Sequence, residues 1–233
     1  MTEPGAYSGV DNLDIMEGAE RYRNFLNGAI ARVAGPPRPD LALVDYGAGT
    51  ANHAVDLRDR GFSVACLERD RELRGRVEGL GFTTYASPGE VPDQSVDLVY
   101  SLNVLEHIED DAGALRDIVR MLKPGGRTVL YVPAFQVLYS SMDHKVGHLR
   151  RYRRRPFTAL VRAAGITITS CRYVDSLGYA ATLAYKVIGS SDGDLNEHTV
   201  RFYDRYLFPV SRAIDHATGT MFGKNLLLTG TRA

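Results

Sequence analysis

Apolar positions in the first part of the chain follow the period of a helix. Their spacing of three or four residues predicts one amphipathic helix, with Tyr22, Leu26, Ala29, Ile30 and Val33 on its buried face. Gly35-Pro36-Pro37 comes next and is typical of a helix end. Beyond it the pattern changes to short, nearly continuous apolar runs separated by helix-compatible segments.

The short apolar runs predict buried strands. These cover residues 41–45, 63–67, 82–85, 96–100, 128–132, 166–173 and 225–231. The segments after Gly49 and at 70–77, 111–122 and 156–164 are predicted as helices, the third of them stopped by Lys123-Pro124-Gly125-Gly126. Alternating strands and helices imply parallel pairing through right-handed crossovers. The pattern therefore predicts an α/β fold with a doubly wound sheet covered on both faces.

Two regions, 134–155 and 175–223, break the alternation, and we place substrate recognition in these helical insertions over the pocket. A length of 233 residues suits a single α/β domain. We divide it into an N-terminal helical lid (1–39), a cofactor-binding core (40–133) and a substrate-side half (134–233).

Charge and cysteine content exclude several classes of protein. The chain has 28 basic and 28 acidic side chains, so its balance gives no long-range attraction to nucleic acid. Cys66 and Cys171 form neither a disulfide framework nor a zinc spacing. The first residues lack a secretory pattern, and no apolar run reaches the roughly 18 residues that span a bilayer. We expect a cytoplasmic protein without a transmembrane segment.

A glycine-containing turn follows the first strand. Gly47-Ala48-Gly49 lets the backbone approach a ligand closely, and Glu68 ends the second strand about twenty residues later, where it can accept hydrogen bonds from ribose hydroxyls. A nicotinamide-binding fingerprint would need a third glycine where Asn52 stands. That class, and a glycine turn without a ligand, are the alternatives.

Five segments in this order resemble the class I S-adenosylmethionine (SAM)-dependent methyltransferases. They are Val44-Asp45-Tyr46-Gly47-Ala48-Gly49-Thr50, Glu68, Asp97-Leu98-Val99-Tyr100-Ser101, Val104-Leu105-Glu106-His107-Ile108 and Leu122-Lys123-Pro124-Gly125-Gly126. The resemblance implies a Rossmann-like seven-stranded sheet whose last strand, 225–231, is antiparallel.

The same resemblance implies the cofactor contacts. Asp45, Gly47 and Gly49 would hold the methionine part of SAM and Glu68 its ribose, and Ala48, Ser87 and Asn103 complete the candidate cofactor-binding set. Many relatives carry an aspartate after the third strand that binds adenine. Here Ser87, Glu90 or backbone groups would have to replace it.

His148 and His107 are the candidate catalytic residues. An acceptor that must lose a proton needs a base, and histidine titrates near neutrality. His148 lies in the segment 143–152, which resembles a subfamily signature, Asp-x-x-x-Gly-His-x-Arg-Arg-Tyr. The alternative is that His148 and Asp143 only fasten this loop. The resemblance indicates that His107 is first of all cofactor-site scaffold.

The candidate substrate-binding residues are Tyr22, Arg150, Arg151 and Tyr152. Arg150 and Arg151 begin a basic cluster that continues through residues 153–155 and is interpreted as a solvated turn, a small-anion site or, least favoured, an RNA contact. Tyr22 stacks over the ligands or belongs to the core. No second carboxylate clusters with Asp143 and the histidines, so we predict no metal.

The second insertion is unusually apolar. Residues 177–188 and 202–208 would line an acceptor pocket, pair with a second subunit in a homodimer, or touch a membrane surface as a peripheral contact, with burial in the core as the default. Pro209 is expected to break or kink the second segment.

These observations predict a SAM-dependent methyltransferase that acts on a small-molecule or lipid-linked acceptor and releases S-adenosylhomocysteine. Oxygen is the leading choice of methylated atom. The alternatives are a SAM-binding module without turnover and an RNA methyltransferase.

Overall fold

The computed structural model describes residues 18–188, 197–218 and 221–233. Seven strands form one sheet in the order β3-β2-β1-β4-β5-β7-β6. Their bounds are β1 Ala42–Tyr46, β2 Ser63–Leu67, β3 Thr83–Tyr85, β4 Val96–Leu102, β5 Leu122–Pro133, β6 Ile166–Val174 and β7 Asn225–Arg232. Strand β7 runs antiparallel between β5 and β6, which confirms the predicted α/β sheet and its antiparallel last strand.

Helices join the strands and fill the insertions. They are α1 Glu20–Ala34, α2 Asn52–Asp59, α3 Arg71–Gly79, α4 Asp111–Met121, α5 Ser141–Lys145, α6 Arg154–Ala163, α7 Ser176–Ile188, α8 Glu197–Phe202 and α9 Phe208–Thr218. Short 3-10 turns at 88–90, 105–107 and 136–138 lie in the loops after β3, β4 and β5.

Two buried clusters cover the two faces of the sheet. Successive residues of β1 point to opposite sides, so Leu43 packs with α1 and α2, whereas Val44 packs with α4 and α6. Leu26 and Ile30 of α1 are fully buried in the first cluster. Helix α1, expected as part of a lid, therefore packs as a core helix, and the division of the chain into three parts stays a prediction.

Some boundaries differ from the prediction. Helix α4 ends at Met121, and β5 begins at once with Leu122 instead of after the glycines, because Leu122 already pairs with Val96 of β4. Helix α6 begins at Arg154, two residues before Pro156. Pro209 lies in the first turn of α9, directly after a π-helical turn at Tyr203–Leu207, so the helical run continues through it.

The default of core burial is wrong for part of the second insertion. Phe208 is buried, but Phe202 and Tyr206 are 57% and 54% exposed, and Val210 is also exposed. An acceptor surface, a second subunit and a membrane contact stay as alternatives for them. No helix among residues 18–188, 197–218 and 221–233 is long and apolar enough to span a bilayer.

Two buried aspartates fasten the second insertion to the rest of the fold. Asp204 accepts hydrogen bonds from the backbone N–H groups of Arg21 and Tyr22, at 2.9 and 2.8 Å, and so caps the first turn of α1. Asp215 accepts from the N–H groups of Asp175 and Ser176, at 2.8 and 2.9 Å, where α7 begins. The first cap holds the backbone of Tyr22 against the second insertion, and the second cap holds the start of α7.

Candidate active site

The carboxyl edge of the sheet concentrates backbone strain. Gly47, Asn103 and Asp175 directly follow β1, β4 and β6, Phe135 follows β5 by two residues, and all four have positive φ angles, of 85°, 54°, 67° and 61°. Three of them are not glycine, so each conformation costs on the order of 1 kcal/mol or more. Ligands of open α/β sheets bind beyond this edge. The strain therefore lies where a site is expected.

Backbone hydrogen bonds hold the glycine turn in place. The N–H groups of Gly47 and Ala48 both donate to the Leu67 carbonyl oxygen, at 2.8 and 3.1 Å. A Cβ atom on Gly47 would lie 2.5 Å from a methyl carbon of Val104. Only glycine fits there, and Val104 connects the turn to the segment that carries the candidate histidine His107.

Glu68 is fixed beside this turn. Its carboxylate accepts hydrogen bonds from the N–H groups of Gly49 and Asp70, both at 2.8 Å. Burial raises the pKa of Glu68, and these two hydrogen bonds oppose the shift. Asp45 lies at the end of the adjacent strand, and burial followed by the nearby charge of Glu68 raises its pKa to about 7.

This set of groups fits SAM. Each Glu68 oxygen keeps a lone pair beyond its backbone bond, which two ribose hydroxyls can use. A cation placed against the buried Asp45 carboxyl would offset the cost of ionising it. Gly47 and Gly49 have no side chains, so the backbone of the turn can lie close to the methionine part of SAM.

Ser87 and Asn103 lie at the rim of the same edge and are both exposed. The Ser87 hydroxyl donates to Glu90 at 3.2 Å, and Glu90 also accepts from the Ala86 N–H. Glu90 therefore fastens the loop after β3. The Asn103 side chain lowers the pKa of the Tyr22 hydroxyl, against the larger effect of burial.

Tyr22 reaches the edge from α1. Its hydroxyl donates to the Tyr131 hydroxyl at 2.9 Å, and its ring packs edge-on against Phe208. Burial raises the pKa of Tyr22 well above its ordinary value. Tyr22 thus combines a place in the core with a half-buried surface at the site.

His148 is oriented by a buried aspartate. Its Nδ1 atom lies 2.6 Å from Oδ1 of Asp143, and its Nε2 atom lies 3.7 Å from Oε1 of Glu106. The His107 ring contacts the His148 ring edge-on, with centroids 4.7 Å apart. The fold brings together the two histidines that the sequence singled out.

Asp143 is ionised although it is buried. Burial opposes ionisation, but hydrogen bonds from His148 and Arg151 lower the pKa of Asp143 to about 2. Arg151 binds both carboxylate oxygens at 2.9 Å, with only 5% of its side chain exposed. The pair fixes the loop that carries His148.

Glu106 has the opposite environment. It is fully buried, and neither carboxylate oxygen has a hydrogen-bond partner within the part of the chain that the structure describes. Burial raises the pKa of Glu106 to about 8. Burial and then the neighbouring His148 lower the pKa of His107 to about 4.

The candidate substrate-binding groups after His148 have partners inside the chain. Arg150 pairs with Asp111 at 2.9 Å and keeps 33% of its side chain exposed. The Tyr152 hydroxyl donates to Asp111 at 2.8 Å, and its ring is buried. Arg151, as described above, is held by Asp143. These contacts tie the first insertion to α4, and the anion-site interpretation stays a prediction for Arg150 and Arg151.

Sequence reasoning missed Glu106 as a partner of His148, and Asp143 as a partner of Arg151. The Leu149 N–H donates to the Glu106 carbonyl oxygen at 2.8 Å, which brings the two loops together. Nothing in the local pattern reports that contact. The only signal for Glu106 was its place beside His107 in the segment that resembles the family.

Comparison with known proteins identifies the family of this chain. A family model described as a methyltransferase domain matches residues 19–170. Similar curated proteins are the 27-O-demethylrifamycin SV methyltransferase of Amycolatopsis mediterranei (34% identical; 42% of each chain) and the trans-aconitate 2-methyltransferase of Streptomyces coelicolor (30% identical; 58% of this chain, 48% of that protein). The chain spans about half the length of these relatives.

A methyltransferase solved in complex with the Trm112 activator of Haloferax volcanii shares the fold. Its TM-score is 0.68 at 17% identity, over 99% of both chains.

Proposed function

We propose that this chain, which belongs to the family of class I SAM-dependent methyltransferases, transfers a methyl group to an oxygen atom of a small-molecule or lipid-linked acceptor. The main support is the His148 imidazole, which Asp143 orients and which lies on a loop hydrogen-bonded to the loop after β4. Such a group can take a proton from an acceptor hydroxyl.

The cofactor is held by the first half of the chain. When bound, SAM supplies a methyl group already activated on a sulfonium sulfur. Glu68 would accept hydrogen bonds from the ribose hydroxyls, and Asp45 would hold the cationic methionine part. Gly47, Ala48 and Gly49 shape the close approach, with Ser87 and Asn103 at the rim. The protein then contributes mainly alignment and proximity.

Acceptor activation is assigned to the first insertion. The Asp143 carboxylate accepts a hydrogen bond from Nδ1 of His148, which leaves Nε2 to take the acceptor proton. His107 packs against that ring and limits its rotation. A hydroxyl acceptor fits this arrangement because its proton must leave during transfer.

Two features support the proposed acceptor class. Both named curated relatives are methyltransferases of small organic molecules by their names. The exposed side chains of Phe202 and Tyr206 add apolar surface on the second insertion, which suits an apolar or lipid-linked acceptor. The partly exposed Arg150 would meet an anionic group on it, so Arg150→Gln should raise the acceptor KM and leave SAM affinity unchanged.

A labelled-methyl experiment tests the function. The protein is loaded with SAM carrying a labelled methyl group and mixed with fractionated cell extract in a single turnover. Label in a small-molecule or lipid fraction is expected. Label in RNA would identify an RNA methyltransferase, and tight SAM binding without transfer to any fraction would identify a binding module.

A matched pair of variants tests the cofactor site. Glu68→Gln removes a charge-assisted acceptor worth roughly 1.5–3 kcal/mol, so calorimetry should show about tenfold or greater weakening of SAM binding. Glu78→Gln, a change at an exposed carboxylate near the end of α3, is the control. Equal SAM affinities in the two variants would remove Glu68 from the site.

A further inference from the structure

We propose that Glu106, His107 and His148 bind a divalent first-row transition-metal ion at the acceptor end of the site. One ligand atom from each residue lies within 4.8 Å of the other two. The sequence analysis predicted no metal because no second carboxylate clustered with Asp143. The fold supplies that carboxylate from the loop after β4.

Glu106 is the first reason. Its side chain is fully buried, and both carboxylate oxygens lack a hydrogen-bond partner among the described residues. Burying an unpaired carboxylate is costly, and native proteins normally satisfy such groups. Nε2 of His148 lies 3.7 Å from Oε1 of Glu106, longer than a hydrogen bond. A cation between them satisfies both atoms.

The outer partners of the two histidines are the second, independent reason. Metal-binding histidines usually donate their other ring N–H to a carboxylate or a backbone carbonyl. Nδ1 of His148 lies 2.6 Å from Asp143, and Nδ1 of His107 lies 3.3 Å from the Gly147 carbonyl oxygen. In both rings this arrangement directs Nε2 to the ion. Arg151 in turn holds Asp143 with two hydrogen bonds.

The ligand set defines the class of ion. Two imidazoles and one carboxylate suit Zn²⁺, Fe²⁺, Co²⁺ or Ni²⁺, whereas Mg²⁺ and Ca²⁺ prefer oxygen ligands alone. Metal–ligand bonds of roughly 2.0–2.2 Å place ligand atoms about 3–3.5 Å apart. The observed 3.7 Å between Glu106 and His148 needs only a small closure.

Three protein ligands leave a coordination position open. This step rests on the proposed function: an acceptor hydroxyl in that position would bind the ion through its oxygen, and its proton would pass to bulk water because the ion then occupies Nε2 of His148. In the metal-loaded protein His148 is then a ligand and the ion acidifies the acceptor. The charges of the site are consistent with this role. The carboxylates of Glu106 and Asp143, the Arg151 guanidinium and a divalent ion together leave one positive charge, which an acceptor oxyanion would neutralise.

Metal titration of the full chain tests the inference without any methyl transfer. Protein stripped with EDTA and desalted is titrated with Co²⁺, followed by visible absorption, and with Zn²⁺, followed by calorimetry. We expect one equivalent to bind. Glu106→Gln and His148→Gln should weaken binding at least tenfold, and Asp143→Asn roughly 10–100-fold. His144→Gln removes an exposed imidazole from the same segment and should bind as the unchanged chain does.

Two results would overturn the site. One is no saturable uptake of either ion by the unchanged chain, and the other is that Glu106→Gln and His148→Gln bind metal as tightly as the unchanged chain does. Circular dichroism tests whether each variant folds. If they do not fold, Co²⁺-induced NMR shifts of the His107 and His148 ring protons in the unchanged chain decide, and unshifted rings count against the site. Metal uptake without methyl transfer would contradict only the proposed function. Methyl transfer at full rate without metal uptake would contradict only this inference.

Discussion

Nδ1 of His148 lies 2.6 Å from the Asp143 carboxylate, which Arg151 holds through two further hydrogen bonds. The loop and the imidazole are therefore fixed together. His148→Ala should lower kcat by about 10²–10⁴-fold and leave SAM affinity intact, because the imidazole serves only the acceptor. Single-turnover rates and SAM calorimetry measure the two effects. His144→Ala is the control, and near-normal turnover in His148→Ala would reduce His148 to a loop fastener.

Removal of Arg151 should destabilise the protein strongly. Arg151→Met leaves Asp143 as a buried carboxylate that has lost its main cation, at a cost of about 3–5 kcal/mol in the free energy of unfolding. Arg150→Met removes a pair with Asp111 that is partly exposed, and it should cost at most about 1 kcal/mol. Urea denaturation compares the two. Equal losses would mean that the buried pair contributes no more than the outer one.

Asp45 should make stability depend on pH. Its pKa is about 7 in the folded chain and 3.8 ordinarily, so the native state keeps a proton that the unfolded state has lost. The free energy of unfolding should therefore fall as pH rises from about 4 to about 7, and stay level above that. In Asp45→Asn this decline should be missing, as judged by urea titrations across the range. Parallel profiles for the two proteins would contradict the shift.

The same carboxyl should report cofactor binding. A cationic methionine group beside Asp45 favours its ionised form, so SAM binding near pH 6 should release a proton. Calorimetry in buffers of different ionisation enthalpy measures that release. Asp45→Asn should release less, and an unchanged release would place the methionine part elsewhere.

His53 should have the opposite effect on stability. Burial, followed by the nearby Arg23, lowers its pKa from 6.5 to about 4, and its Nδ1 atom lies 2.7 Å from the Asn27 side-chain oxygen. The unfolded chain takes up a proton before the native one does, so stability is complete above pH 6.5 and declines as pH falls toward 4. His53→Gln should make this acid limb shallower, and His107, whose pKa is also lowered to about 4, contributes to the part that stays. The exposed His144→Gln should retain it, and if both variants retain it the assignment to His53 is wrong.

The sequence by itself determined the sheet. The apolar runs at 41–45, 63–67 and 225–231 became β1, β2 and β7 within a residue, because strand burial imposes a pattern on adjacent residues. The glycine turn and the position of Glu68 were also predicted from the sequence, because a turn and the strand end beside it are local features.

Only the tertiary structure decided the acceptor end of the site. Glu106 and His148 belong to loops about forty residues apart, and their meeting depends on how the first insertion folds back over the end of β4. The burial of Arg151 and the exposure of Phe202 could not be predicted from the sequence either, because elements distant in sequence form the surroundings of a single side chain. Local periodicity records which face of an element is apolar, whereas long-range packing decides which neighbour covers it.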